Sequence, residues 1–241
     1  MKDKIADYWN WRSDSYNREY DKYMIEEIEF WKKIFSGILP KNKTLKIAEV
    51  GTGPGVIGLS LASLGHDVIG IDLSDEMIRK ASENAKRLGI QAEFKLGDAE
   101  NLDLEDGAYD LIVSKYLMWT LPHPDKFLEE AQRLLISGGK IVLIDGVWWS
   151  EEDELKSKTD ESKSKKTDCE ERFEEAYKDI KSDLPLAKDN TAEKVVKLVQ
   201  QHGFTDSNWR SLTDYQEEYL LKYDRETGDV IPYIITAMKP C

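Results

Sequence analysis

The chain has 241 residues, 40% of them hydrophobic, which suits one well-filled domain or one domain carrying an insertion. Its formal net charge of −13 argues against a broad nucleic-acid or anionic-membrane footprint, since both need clustered Lys and Arg. Two cysteines, Cys169 and Cys241, make neither a metal-spacing pattern nor a disulfide framework, so no metal site is expected.

Residues 3 to 39 read as helical and unusually aromatic, with Tyr8, Trp9, Trp11, Tyr16, Tyr20, Tyr23, Phe30, Trp31 and Phe35. Ile25, Ile28, Trp31 and Ile34-Phe35 fall at helical spacing and cover a core. Trp9, Trp11 and Tyr16 sit among polar neighbours, where a ring with a polar handle suits a pocket or lid. A polar link, Pro40 to Lys43, leads to a short apolar strand at Lys46-Ile47-Ala48-Glu49-Val50. Gly51-Thr52-Gly53-Pro54-Gly55 follows, and alternate glycines favour a tight turn over a continued strand. Pro54 suits the first turn of the next helix, whose Val56, Ile57, Leu59 and Leu61 offer an apolar face. Such a turn lets backbone approach a ligand, with the helix's unpaired N–H groups beside it.

His66 to Asp72 is a second strand ending in an acid about twenty residues on, placed to accept ribose hydroxyls. Ser74 and Asp75 cap the helix that runs to Leu88 and stops at Gly89. Gln91 to Leu96 is a third strand, followed by Gly97-Asp98-Ala99-Glu100. Tyr109 to Ser114 is a fourth, Asp125 to Ile136 a helix introduced by Pro122 and Pro124, Ser137-Gly138-Gly139 a turn, and Lys140 to Asp145 a fifth strand. This alternation predicts a doubly wound α/β fold with a parallel sheet covered on both faces. Ligands in such sheets bind beyond the carboxyl ends of the strands. Glu49 to Gly51, Asp72, Asp98, Ser114-Lys115-Tyr116 and Asp145 all lie at those ends and converge on one crevice.

From Trp148 to Asn190 the chain becomes charge-rich and reads as an insertion over the crevice, with an amphipathic helix at Glu170 to Ile180. Thr191 to His202 is a capped helix, and Phe204 to Thr213 with Ile231 to Met238 an antiparallel closing pair. The expected division is 1–44 helical lid, 45–146 cofactor-binding core, 147–190 insertion and 191–241 closing elements of the same domain.

Glu49-x-Gly51-x-Gly53-x-Gly55, Asp72, Gly97-Asp98-Ala99, Tyr109-Asp110-Leu111-Ile112-Val113 and Leu135-Ile136-Ser137-Gly138-Gly139-Lys140 together resemble the class I S-adenosylmethionine-dependent methyltransferases. The likeness is strong over residues 45 to 145 and weak beyond. It implies a Rossmann-like seven-stranded sheet of order 3-2-1-4-5-7-6 with the last strand antiparallel. It further implies that Gly51, Gly53 and Gly55 approach the methionine part of the cofactor, Asp72 holds the ribose, and Asp98 accepts from the adenine amino group beside Ala99. Glu49, Thr52, Leu73, Glu100 and Ser114 flank those positions and complete the expected cofactor set. An aromatic N-terminal helix often closes the site in the family, which gives Tyr16 and Trp11 a role. Ile136-Ser137 departs from the family's Lys/Arg-Pro before the Gly-Gly turn, a structural position.

A dinucleotide is the competing cofactor, because Gly53-x-Gly55-x-x-Gly58 satisfies G-x-G-x-x-G with Asp72 at a fitting distance. Under that reading the motif starts late and Asp98 has no task. The short-chain dehydrogenase pattern Ser164 with Tyr177-x-x-x-Lys181 falls in the charged insertion, and Ile57 and Leu59 stand where its turn needs glycine. A protein that binds the sulfonium cofactor without turnover is the third reading.

Methyl transfer asks little of side chains beyond holding the nucleophile in line, which can be worth roughly 7–11 kcal/mol. Ser114-Lys115-Tyr116-Leu117 is not the Asn/Asp-Pro-Pro-Tyr arrangement of nucleic-acid and protein amide methylation, and no Pro-Cys pair follows the fourth strand. A small-molecule acceptor is favoured, with Trp11, Lys115, Tyr116, Trp119, Trp148 and Trp149 as its candidate site. Tyr116 and His123 are the candidate bases if a proton must be taken. With no cationic-then-apolar leader at Met1 to Lys4 and no run long enough to span a bilayer, a cytoplasmic protein without membrane contact is expected. The oligomeric state is open.

Overall fold

In chain order the elements are α1 (Lys2–Asp21), α2 (Met24–Ile38), β1 (Lys46–Val50), α3 (Val56–Ser63), β2 (Asp67–Asp72), α4 (Asp75–Leu88), β3 (Glu93–Leu96), β4 (Tyr109–Lys115), α5 (Pro124–Leu134), β5 (Leu135–Asp145), α6 (Asp168–Tyr177), α7 (Ala192–Gln201), β6 (Thr205–Ser211) and β7 (Tyr233–Met238). The computed structural model describes residues 1–21, 23–147, 168–217, 230 and 232–241. The strands form one seven-stranded sheet, ordered β3-β2-β1-β4-β5-β7-β6. β1 to β5 are mutually parallel, while β7 runs antiparallel to both β5 and β6. This is the Rossmann-like α/β sheet that the alternation and the resemblance imply.

Successive side chains of a strand point to opposite faces, and the core divides accordingly. Ile112, Ile141, Leu143 and Ile235 pack on one face with Phe127 and Leu128 of α5 and Val195 and Val199 of α7. Leu111, Val113, Val142 and Ile144 pack on the other with Trp31 and Phe35 of α2 and Leu59 and Leu61 of α3. Both faces of β4 and β5 are thus apolar, which is why these strands read as unbroken hydrophobic runs. A smaller third cluster joins Ile5 and Tyr8 of α1 to Trp119, Tyr177, Ile180 and Leu184.

Two differences from the sequence reading have a direct structural cause. Ser137-Gly138-Gly139 is not a turn before the fifth strand; β5 begins at Leu135 and carries this run within it, so Ile136 leaves the helix. The run is drawn into the sheet because Gly138 N–H donates to Lys239 O at 3.0 Å and Lys239 N–H to Gly139 O at 2.8 Å. Gly138 absorbs the irregularity at φ 74°, opposite a register shift between Tyr109 and Leu111. Pro54 is likewise not in the first helical turn, since α3 starts at Val56 with Gly55 as its cap at φ 90°. Of the predicted insertion, residues 148–167 lie outside the described residues, and α6 with the turn after it packs against α1.

Candidate functional site

The glycine turn after β1 is pinned to the neighbouring strand, with Gly51 N–H and Thr52 N–H both donating to Ile71 O, at 2.8 and 2.9 Å. Gly53 and Gly55 each adopt positive φ, 52° and 90°, which suits glycine, but for different ends. A Cβ on Gly55 would press on Ala81 and Phe94 at 3.2 Å, so this glycine serves close helix packing. A Cβ on Gly53 would meet nothing within 4 Å, so here bare backbone faces open space. Gly58 lies inside α3 rather than in a phosphate-facing turn. Its N–H donates to Glu49 Oε2 at 2.8 Å and a Cβ there would stand 2.7 Å from that oxygen, so the third glycine of the dinucleotide-like pattern is explained by packing.

Two carboxylates border this turn. Glu49 is buried, accepting from Thr52 Oγ1 at 2.5 Å as well as from Gly58 N–H. Burial pushes its carboxyl up to about 8, against the opposing pull of those two donors and of Lys115. Asp72, at the end of β2, accepts Gly53 N–H on Oδ2 at 2.8 Å and Ser74 N–H on Oδ1 at 2.9 Å. Enclosure raises its pKa, while the N–H groups of Ser74, Gly53 and Leu73 favour the anion. Asp72 therefore shapes the glycine turn as well as standing at its edge. Ser74 caps α4 as expected, accepting Met77 N–H at 3.1 Å, and donates its hydroxyl to Asn10 Oδ1 of α1 at 2.6 Å.

Past β3, Asp98 and Glu100 are both engaged by Lys2 from the start of α1, at 2.6 and 2.7 Å. Glu100 also accepts His123 N–H at 2.7 Å and contacts His123 Nδ1 at 3.0 Å. Burial opposes ionisation of Glu100, but Lys2 and His123 outweigh it and hold its pKa below the usual range. The side chain of His123 is 58% exposed and turned to this acid pair. Ala99, next to Asp98, is buried in the sheet core, and Leu73 packs toward the cluster of Tyr8 and Tyr177.

At the end of β4, Ser114 is buried within the strand, and Lys115 and Tyr116 turn into a cavity shared with Tyr16, Glu49, Gly51 and Gly53. Tyr116 holds φ 61°, a strained conformation for a non-glycine residue, and its N–H donates to Ile144 O at 2.7 Å. Lys115 Nζ lies 3.2 Å from Glu27 Oε1 and 4.4 Å from the centre of the Tyr116 ring, with Trp31 and Tyr215 at 5.8 and 5.7 Å. The same Glu27 oxygen accepts Trp31 Nε1–H at 3.2 Å and Tyr215 O–H at 2.5 Å. Glu27 is fully buried and was not singled out from the sequence, where it looks like the polar face of α2. Its spacing of four from Trp31 was the one available signal. Asp145 is also buried, accepting Met118 N–H at 3.1 Å and Gly146 N–H at 2.9 Å, so the end of β5 fixes the turn after Tyr116.

The remaining aromatics divide. Trp119 is packed into the cluster with Tyr8, Phe173 and Tyr177 rather than lining the cavity. Trp11 is 38% exposed with the Arg172 guanidinium 5.1 Å above its ring. Trp148 and Trp149 lie outside the described residues, as does Ser164. Tyr177 is buried in the same cluster and does not line the cavity, so it is not placed as a short-chain dehydrogenase tyrosine would be.

A family model described as a methyltransferase domain matches residues 41–214. The chain is 30% identical over 141 residues to the phosphatidylethanolamine N-methyltransferase of Cereibacter sphaeroides, covering 54% of this chain and 68% of that protein. It is 33% identical over 138 residues to the chloroplastic tocopherol O-methyltransferase of Arabidopsis thaliana, covering 55% of this chain and 38% of that one. In three dimensions it is similar to the Haemonchus contortus phosphoethanolamine N-methyltransferase 2 solved with S-adenosyl-L-methionine, with a TM-score of 0.65 at 16% identity, over 88% of this chain and 53% of that one. The chain thus spans about half the length of the nematode enzyme and less of the plant one. With the sheet order, the glycine turn and the family model in agreement, this chain belongs to the class I S-adenosylmethionine-dependent methyltransferases.

Proposed function

We propose that the protein transfers a methyl group from S-adenosylmethionine to a small-molecule acceptor by direct in-line displacement. The observation that carries this reading is the Asp72 carboxylate bonded to Gly53 N–H at 2.8 Å, which joins an acid at a strand end to the glycine backbone of the turn. Open space over Gly53 and carboxylates at the ends of both β2 and β3 fit a nucleoside with an amino-acid tail. When bound, the sulfonium supplies an already activated methyl carbon. The protein's task is then to bind, orient and exclude water. Gly51 and Gly53 present backbone to the methionine end, with Gly55 packing the following helix against its neighbours and Glu49 and Thr52 bracing the turn. Asp72 takes the ribose hydroxyls, and Asp98 takes the adenine amino group beside Ala99.

Tyr16, Lys115 and Tyr116 border the acceptor side of the cavity. Tyr116 borders the cavity whereas His123 sits with the acid pair past β3, which favours Tyr116 over His123 as the group that handles a proton, if one must be lost. A small acceptor is supported by relatives whose names specify phosphatidylethanolamine and tocopherol, with nitrogen and oxygen as the methylated atoms. Calorimetric titration with S-adenosylhomocysteine tests the cofactor half. Asp72→Asn should raise the dissociation constant about tenfold or more, as expected for losing a charged acceptor. An unchanged affinity would remove Asp72 from the site. Label transfer from S-adenosylmethionine into a metabolite extract, with mass identification of the product, tests the acceptor half. Binding without any S-adenosylhomocysteine formed would favour a sensor.

A further inference from the structure

Three polar ties seat α1 across α4 and the loops that follow β2 and β3. Asn10 accepts the Ser74 hydroxyl at 2.6 Å, Asp14 pairs with Lys80 at 2.7 Å, and Lys2 reaches Asp98 and Glu100 at 2.6 and 2.7 Å. The tie at Lys2 differs from the others in what it occupies. Asp98 Oδ1 already accepts Glu100 N–H at 2.9 Å, so with Lys2 on Oδ2 both oxygens carry donors. A base that brings an amino group to this carboxylate meets an ammonium there first. Lys2 also has somewhere to retreat. The Glu100 side chain is 1% exposed and held by His123, so Lys2 can release Asp98 and keep a buried partner.

We propose that Lys2 is a specificity-determining residue at the base end of the crevice, competing with the 6-amino group of the cofactor for Asp98. The proposal rests on Asp98 being the partner of the adenine amino group. Ammonium and amino group are both donors, so a base drawn to this carboxylate must share it with a cation already bonded to Oδ2. A 6-oxo base presents an acceptor instead; the Asp98 carboxylate repels it, but Lys2 can donate to it. Lys2 therefore works against the amino base and for the oxo base, narrowing the preference that Asp98 alone would set. Burial opposes the charge on Lys2, but the two carboxylates outweigh it and raise its pKa, so the cation is present throughout the neutral range. The side chains of Lys2 and Asp98 are 34% and 31% exposed, which keeps the competition measurable without making it dominant.

The test is calorimetric binding of S-adenosylhomocysteine and its inosine analogue to the wild type, Lys2→Met, Lys2→Arg and Asp98→Asn, with thermal unfolding of each unliganded protein as the folding control. Lys2→Met should bind S-adenosylhomocysteine about threefold to tenfold more tightly and the inosine analogue more weakly. Lys2→Arg keeps the cation and should stay within about twofold of wild type for both ligands. Asp98→Asn should weaken S-adenosylhomocysteine about tenfold. If Lys2→Met leaves S-adenosylhomocysteine binding unchanged, or weakens both ligands, while Asp98→Asn still weakens it, the competition is overturned and Asp98 keeps its role. If Asp98→Asn binds as the wild type does, the Asp98 assignment fails and the proposal with it.

Discussion

Glu49 carries a proton at a pH where an ordinary carboxyl would not, because it is buried and its two donors, Thr52 Oγ1 and Gly58 N–H, compensate only in part. Its pKa near 8 in the folded chain, against an ordinary 4.5, means that folding takes up a proton between those values. The stability gained by keeping the neutral acid is fully present below 4.5 and is lost as pH rises through about 8. Glu49→Gln, which cannot ionise, should lack this slope. Urea midpoints measured from pH 5 to 8.5 should therefore diverge, with the wild type losing ground to the variant as pH rises. Parallel curves would mean that Glu49 is already ionised at neutrality. Tyr116 shows a second residue-scale effect: a non-glycine side chain at φ 61° marks where β4 stops being a regular strand and starts presenting groups to the cavity.

Between elements, the Glu27–Lys115 pair joins α2 to the end of β4, and Tyr215 brings the segment before β7 to the same carboxylate. Both ionic side chains are out of water, 0% and 8% exposed, so removing one leaves the other charged and poorly solvated. Glu27→Gln should cost about 3–5 kcal/mol of stability in chemical denaturation. Adding Lys115→Met should recover part of that loss, because the buried ammonium that faced Glu27 goes with it. Strict additivity of the two substitutions would show that the pair is not coupled. The pair also accounts for the posture of Tyr116, whose ring lies beneath the same ammonium at 4.4 Å.

At the scale of the whole molecule, the two large apolar clusters lie on the faces of the sheet, whereas Ile5 and Tyr8 of α1 pack with Trp119, Tyr177 and Ile180 in a separate small one. A unit joined to the rest by a small cluster and part-exposed polar ties opens at lower free energy than the sheet. Amide hydrogens of residues 5–16 in α1 and of α6 should therefore exchange together and well ahead of β1, β4 and β5. S-adenosylhomocysteine should slow the α1 amides, since Tyr16 borders the cavity. Exchange of α1 as slow as that of β4 would show the helix to be part of the main core. Among the described residues no helix is long and apolar enough to cross a membrane.

Much of this arrangement was legible in the sequence because it rests on rules that act over a few residues. Apolar runs alternating with amphipathic ones dictate a doubly wound sheet, Ser74 and Gly89 bracket α4, and glycines at 51, 53 and 55 mark the turn. The strand-end acids followed from those elements, since each strand's end is a local feature. Where pairing partners are remote in the chain, local rules are silent. Lys2 meets Asp98 across 96 positions, Glu27 meets Lys115 across 88, and the pull of Lys239 on Gly138 and Gly139 turns an expected turn into strand. Each depends on how helices and strands pack, which side-chain periodicity does not encode. Propensity and pattern determined the sheet and the edge on which its chemistry sits; packing alone decided which charged groups stand against one another along that edge.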